Sequence, residues 1–388
     1  MELIDKNKKE FLKNISLIII LLLITAVYLY FFIYFERNII GIENNYHPDS
    51  KYYYETFKNT AYLSIENSFF KNFQKLFINF FSNNFYSSII NIIFEVSEII
   101  NSTSIKLFGY ISLEFLQDSF YRNIIKFNML FYAIGNFLII TSYLKVFKQH
   151  RFDIKNLFIL IIIIFLPYKT HLYSNILKDG LILFALIFYL TRRNVYVLSI
   201  CTLFGIPMRW GFTLYLLLFL NKKIFNKKNI FFASSILIIV SIYLFFEIIY
   251  NNEGIFSSLE NFLKKRSTIS MGDGRSFDKV PNFDQYIYGG LIRGIIWPVL
   301  FFSGSFVIFT DSYFFYILMS EIIILQTLIF LFYRRSIINI NLIIIIFIIS
   351  VYCTTFTSFF RYAYVAFYIS VLLTFLDFKI VESYENVK

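Results

Sequence analysis

Apolar runs alternate with short basic stretches along most of this chain, at lengths near the roughly 20 residues that cross a bilayer. Residues 15–35 form the first run, preceded by Lys6, Lys8, Lys9 and Lys13, which predicts a cytoplasmic N-terminus. Residues 124–146 return inward to Lys145, Lys148, Arg151 and Lys155, and 156–167 lead out again to end at Pro167. Residues 178–191 come back to Arg192 and Arg193. The run 194–221 must cross twice, turning at Pro207–Arg209, because Lys222, Lys223, Lys227 and Lys228 again mark the inside. Residues 229–250 lead out, and 312–333, 337–353 and 360–377 follow as inward, outward and inward runs.

One segment fits only if it does not cross. A full span over 288–309 would put Arg334 and Arg335 outside, against the charge rule. Gly289, Gly290, Gly294, Pro298 and Gly304 suit a broken, re-entrant element over 290–304 that returns to the same side. The expected fold is therefore all-α: one polytopic transmembrane domain over residues 1–388. It would have about ten transmembrane helices, one re-entrant segment and both termini cytoplasmic.

Two long polar connections fall outside the membrane in this scheme, 36–122 and 251–287. In the first, Phe57, Ala61, Ile65, Phe69, Phe73, Phe77 and Phe81 recur every four residues, with Lys58, Glu66, Lys71 and Lys75 between them. That is the period of an amphipathic helix, lying on the membrane surface or packed on the transmembrane bundle.

Composition agrees with a membrane protein. The chain is 58% hydrophobic and 22% aromatic, more than a water-soluble surface accommodates. The net charge of +11 lies mostly between apolar runs, so it reads as topology signal and affinity for anionic headgroups, not as a nucleic-acid footprint. Cys201 and Cys353 sit inside apolar runs as packing residues. His47, His150 and His171 are too scattered for a metal site, MGDGRS (271–276) lacks the ending of a P-loop, and no cofactor fingerprint occurs.

Candidate chemistry comes from cations inside greasy sequence. Lys178, Arg209, Arg293 and Arg361 come from four separate elements and all fall at or just below the outer membrane face in this topology. Charges there are costly, and Arg holds phosphate in bidentate geometry, so a lipid-linked diphosphate would satisfy them. Sugar transfer from such a lipid also needs a carboxylate to take the proton of the attacking hydroxyl. Asp49, in HPDSKYYYE, is the first candidate, with Glu55 and Asp179 in reserve; Tyr52, Tyr53 and Tyr54 could stack on sugar rings.

Asp49-Ser50 with the following Tyr53, Lys178–Gly180 before a helix ending in Arg192, and Arg209 at the next helix break form an ordered set. Arg293 with Trp297 and Pro298, and Arg361 at the head of the last helix, continue it. The set resembles bacterial polytopic O-antigen and exopolysaccharide polymerase-like proteins. The chain departs from that pattern in having Pro207 before Arg209 where Arg-Pro is usual, and IRGIIWP without a Glu. The resemblance implies an inner-membrane enzyme that polymerises or transfers undecaprenyl-diphosphate-linked oligosaccharide at the outer face, without metal or cofactor. Chain-length regulators, a flippase and membrane lipids would be its partners. A transporter or flippase for a lipid-linked sugar is the rival expectation, since it too needs buried cations and broken helices.

Overall fold

The computed structural model describes residues 2–35, 119–147, 152–175, 178–192, 194–209, 211–219, 287–305, 313–353 and 356–376. The regular elements among them are all helical, and the helices fall into two compact units, residues 1–210 with 376–388 and residues 211–375. Among the described residues, four helical segments are long and apolar enough to cross a membrane: Leu12–Tyr34, Ile125–Val146, Ile154–Ser174 and Phe359–Leu376. The chain therefore has the build of a multi-pass membrane protein. Of the two long connections, residues 36–118 and 251–286 lie outside the described residues, as do the 57–81 stripe and the 229–250 run; Ser119 to Arg122 are already helical, in the first turn of the next helix.

The first unit begins with α1 (Glu2–Tyr34), which buries a stripe of Leu21, Thr25, Leu29 and Ile33 at helical spacing. Its other face carries Leu23, Val27 and Phe31 at 62%, 56% and 62% exposure, an apolar surface that suits lipid and not water. Next comes α2 (Ser119–Val146), the long helix against which the rest of the unit is laid. Returning along it are α3 (Ile154–Ile164) and α4 (Pro167–Ser174).

This return corrects the expected boundary at Pro167. The proline does not end the span; it starts α4. Having no N–H and a fixed φ, it cannot continue α3, and it forces the preceding residue out of helical geometry. Leu166 is accordingly extended at φ −60°, ψ 123°. Beyond the break the chain stays inside, and Tyr168 to Ser174 are all buried despite their polarity. A stretch that reads as an exposed connection is thus the second half of a 21-residue span.

The helix α5 (Lys178–Arg192) then runs parallel to α2, with the Phe131 and Phe184 rings 4.7 Å apart, and α6 (Val195–Met208) folds back on it. Asn194 caps α6 by accepting from the Tyr196 N–H at 3.0 Å, and the Cys201 thiol donates to the Ala185 carbonyl at 3.2 Å. The helix ends at Arg209, whose φ of −161° and ψ of 118° are extended backbone.

The second unit holds α7 (Phe212–Leu216), α8 (Ile287–Ser303), α9 (Tyr313–Tyr333), α10 (Ile340–Tyr352) and α11 (Phe356–Leu376, all but its last residue). The expected runs 312–333, 337–353 and 360–377 match α9, α10 and α11 within a few residues. The segment expected to be broken, 290–304, is one continuous helix, α8, with Pro298 inside it. Its missing N–H removes a single bond from the ladder, and the helix tolerates the loss.

Directions within this unit are fixed by side chains. Tyr364 meets Glu321 and the Tyr333 ring meets Phe375, so α9 and α11 run the same way. Trp297 packs on Phe359, and Phe301 on Phe360 and Phe367, so α8 runs that way too. Gly304, at φ +70°, ends α8 beside Met319 and Ile323, part-way along α9. Only glycine turns into that left-handed conformation without strain. Helices α8 and α9 are thus consecutive and parallel, and α8 stops near the middle of its neighbour.

Candidate functional site

In the first unit, the α5–α6 hairpin brings the two ends of the Lys178–Arg209 stretch together. Asp179 lies in the first turn of α5, where a carboxylate is favoured by the helix dipole, and it is 1% exposed. Arg209 is the C-cap of α6, its backbone N–H bonded to the Gly205 carbonyl at 3.0 Å. From there its Nη1 forms an ion pair with Asp179 Oδ1, and its side chain is 16% exposed. Lys178, adjacent to Asp179, is half-buried. Two cations and one carboxylate therefore sit at one end of the hairpin, with the guanidinium oriented by the acid. Asp179, a reserve base in the sequence, is engaged here as the partner of Arg209.

The same end is tied to α4. Asn128 of α2 donates through Nδ2 to the Asn175 carbonyl at 2.9 Å. Asn175 Nδ2 lies 3.0 Å from the His171 carbonyl, 3.1 Å from His171 Nδ1 and 3.2 Å from Ser174 Oγ. Leu172 and Tyr173 pack on Gly180 in the first turn of α5. The polar end of α4 thus buttresses the residues that follow it.

Deeper along α2 lies a cluster that the sequence concealed. Lys169 is 1% exposed and donates through Nζ to Asn136 Oδ1 at 2.5 Å and to the Ile164 carbonyl at 3.1 Å. Its ammonium stands 4.7 Å from the centre of the Tyr132 ring, and the Tyr132 hydroxyl reaches the Ile164 carbonyl at 2.7 Å. Lys169 and Tyr132 therefore both satisfy the last carbonyl of α3, which the break at Pro167 strips of its helical partner. The available signal was a lysine between two apolar runs, but its partners on α2 are more than thirty residues away in sequence.

In the second unit, Arg293 is 2% exposed, donates through Nη2 to the Val351 carbonyl at 3.3 Å, and stands 5.6 Å from the Trp297 ring centre. Arg361, 7% exposed, lies 5.4 Å from the Tyr362 ring. Glu321, absent from the candidates read in the sequence, is buried on α9 and accepts from the Tyr364 hydroxyl at 2.8 Å. Arg361 and Tyr364 are three apart on α11, so they lie one turn apart along it. A lone acid within the apolar run 312–333 was the signal that marked Glu321. Asp49, Tyr53 and Glu55 lie outside the described residues. No protein-family model, curated protein or solved structure matches the chain.

Proposed function

We propose that this chain is a polysaccharide polymerase or related glycosyltransferase acting on undecaprenyl-diphosphate-linked oligosaccharide at the outer face of a bacterial inner membrane. The observation that carries this is the Lys178, Asp179 and Arg209 site at one end of the α5–α6 hairpin. Ionisable groups inside membrane helices are expensive and mark functional sites. A guanidinium fixed by a buried carboxylate, with a lysine next to that carboxylate in the chain, suits phosphate binding.

In the proposed reaction the acceptor hydroxyl attacks the anomeric carbon of the donor. A new C–O bond forms, the bond from that carbon to the diphosphate breaks, and the diphosphate departs with the electron pair. Lys178 and Arg209 offset the charge that develops on it. The hydroxyl proton passes to a carboxylate, for which Asp49 remains our candidate, with Tyr53 stacking on the sugar. A reaction that joins two lipid-linked chains has two diphosphates to hold, and Arg293 and Arg361 are our candidates for further anion contacts. We further propose about ten spans, cytoplasmic termini, α8 as the re-entrant element, and a chain-length regulator and a flippase as partners.

A second reading is a transporter for the same lipid-linked sugar, favoured by the break between α3 and α4 with Lys169 beside it, since discontinuous helices line many transport sites. One cellular experiment separates the two. In cells that depend on this protein for long-chain glycan, Arg361→Ala and Arg209→Lys should leave single oligosaccharide units on lipid at the outer face. Accumulation at the inner face instead would favour the transporter, and normal chain lengths in both variants would remove the proposed site.

A further inference from the structure

Cations from four helices of the first unit fall at one level, at the end opposite to Asp179 and Arg209. The helix directions fix that level. Tyr28 of α1 meets Phe165, and Lys13 stands 5.9 Å from the Phe152 ring, so α1 and α3 run the same way. Helix α2 runs against them: Tyr132 reaches the Ile164 carbonyl at the far end of α3. Gly135 packs beside Phe184 and Ile187, and Phe131 against Phe184, so α5 runs with α2. Stepping along these helices at about 1.5 Å per residue, Lys13, Lys145, Lys155 and Arg192 lie within a band about 8 Å deep. Lys13, Lys145 and Arg192 are exposed and Lys155 is half-buried. Asp153 shares the band, where its Oδ1 accepts from the Lys155 N–H at 3.2 Å as the cap of α3.

The band is apolar as well as basic. Phe152 and Ile154, at the start of α3, are 46% and 84% exposed, and Tyr196, just after Arg192, is 78% exposed. Water suits the cations but not these side chains, and hydrocarbon does not suit the cations. The layer that takes both is the headgroup region, about 5–8 Å deep on each side of a hydrocarbon core of about 30 Å. The spacing to the other end of the unit agrees with this. Lys145 is seventeen residues along α2 from Asn128, which is bonded to Asn175 just before α5. That separation is about 26 Å, close to the thickness of the core.

We propose that Lys13, Lys145, Lys155 and Arg192 form a binding surface for anionic phospholipid headgroups across this end of the first unit. Charge complementarity selects the lipid, since each cation near the surface favours an acidic headgroup by about fivefold. The exposed Phe152, Ile154 and Tyr196 select a lipid over a free phosphate ion, which would leave them facing water. The chain's overall positive charge attracts acidic membranes in general; here the contact is placed on four side chains of four helices. A headgroup layer held by all four ties the ends of α1, α2, α3 and α5 together. The surface stands whether or not the unit transfers sugar.

The test measures the lipids retained by the purified full-length protein after reconstitution in vesicles of equal phosphatidylcholine and phosphatidylglycerol and re-extraction in mild detergent. The wild type should retain phosphatidylglycerol in excess. Lys13→Gln with Lys145→Gln removes two exposed charges and should cut that excess about fivefold per charge, with the helical signal unchanged. Arg192→Gln alone should lower it in part, so the test stands even if the pair does not fold. Lys13→Arg with Lys145→Arg keeps the charges and should keep the excess. Equal retention of both lipids by the wild type, or an excess unchanged by the glutamine substitutions, would overturn the proposal. So would loss of bound phosphatidylglycerol on adding inorganic phosphate at constant ionic strength, which would mark a site for the free ion.

Discussion

Arg209→Ala is expected to destabilise the protein by about 3–5 kcal/mol, the range for breaking a buried ion pair from one side. The cost arises less from the lost attraction than from the desolvation of Asp179, which is 1% exposed and would lose the guanidinium beside it. Removing both charges should be far milder, since apolar replacement of a buried pair is often neutral or better. The double variant Asp179→Asn with Arg209→Met should therefore regain most of the stability lost by the single change. Unfolding of the purified proteins in detergent, followed by loss of helical signal, measures this. The double variant also separates stability from chemistry: it should be folded and inserted, and still fail to lengthen glycan. A stable Arg209→Ala protein would mean that the pair contributes nothing to the fold.

Gly180→Ala is the second change with a large expected effect, and its sign is decided by one contact. A Cβ at position 180 would lie 2.9 Å from the Leu172 carbonyl oxygen and 3.4 Å from Tyr173 Cδ1. Alanine gains about 1 kcal/mol over glycine in a helix interior, while overpacking costs about 1–3 kcal/mol. The nearest atom belongs to the backbone of α4, which cannot swing aside as a flexible side chain could. We therefore expect a net loss of stability, with the first turn of α5 pushed off α4. Lys178 and Asp179 ride on that turn, so donor binding should weaken with it. A variant more stable than wild type would show that α4 yields, and that its packing does not set the position of α5.

These two residues also show what a linear reading captures. Lys178, Asp179 and Arg209 stood out as charges bounding apolar runs, and hydrophobic patterning located α2, α5, α9, α10 and α11 within a few residues. Patterning succeeds there because each helix buries or exposes an apolar face with its own period. It failed across PYKTHLYS, where polarity mimics a loop and Pro167 mimics an end. The residues that make this stretch buriable are Asn128, Tyr132 and Asn136, on another helix, and no local rule connects them to Lys169 or Asn175. The Asp179–Arg209 pair was hidden for the same reason: thirty residues and a helical hairpin separate its members. Glu321 is a single acid in an apolar run, and a lone residue carries no spacing from which a partner could be read.

The central claim is that this site transfers sugar from a lipid diphosphate. It is tested most directly by reconstituting the purified protein with undecaprenyl-diphosphate-linked oligosaccharide and following product length. The wild type should yield glycan longer than one unit and release undecaprenyl diphosphate in step with each linkage. The folded double variant at Asp179 and Arg209 should yield neither. Wild-type protein that moves the intact lipid across the bilayer without lengthening the glycan would contradict the claim and establish the transporter in its place.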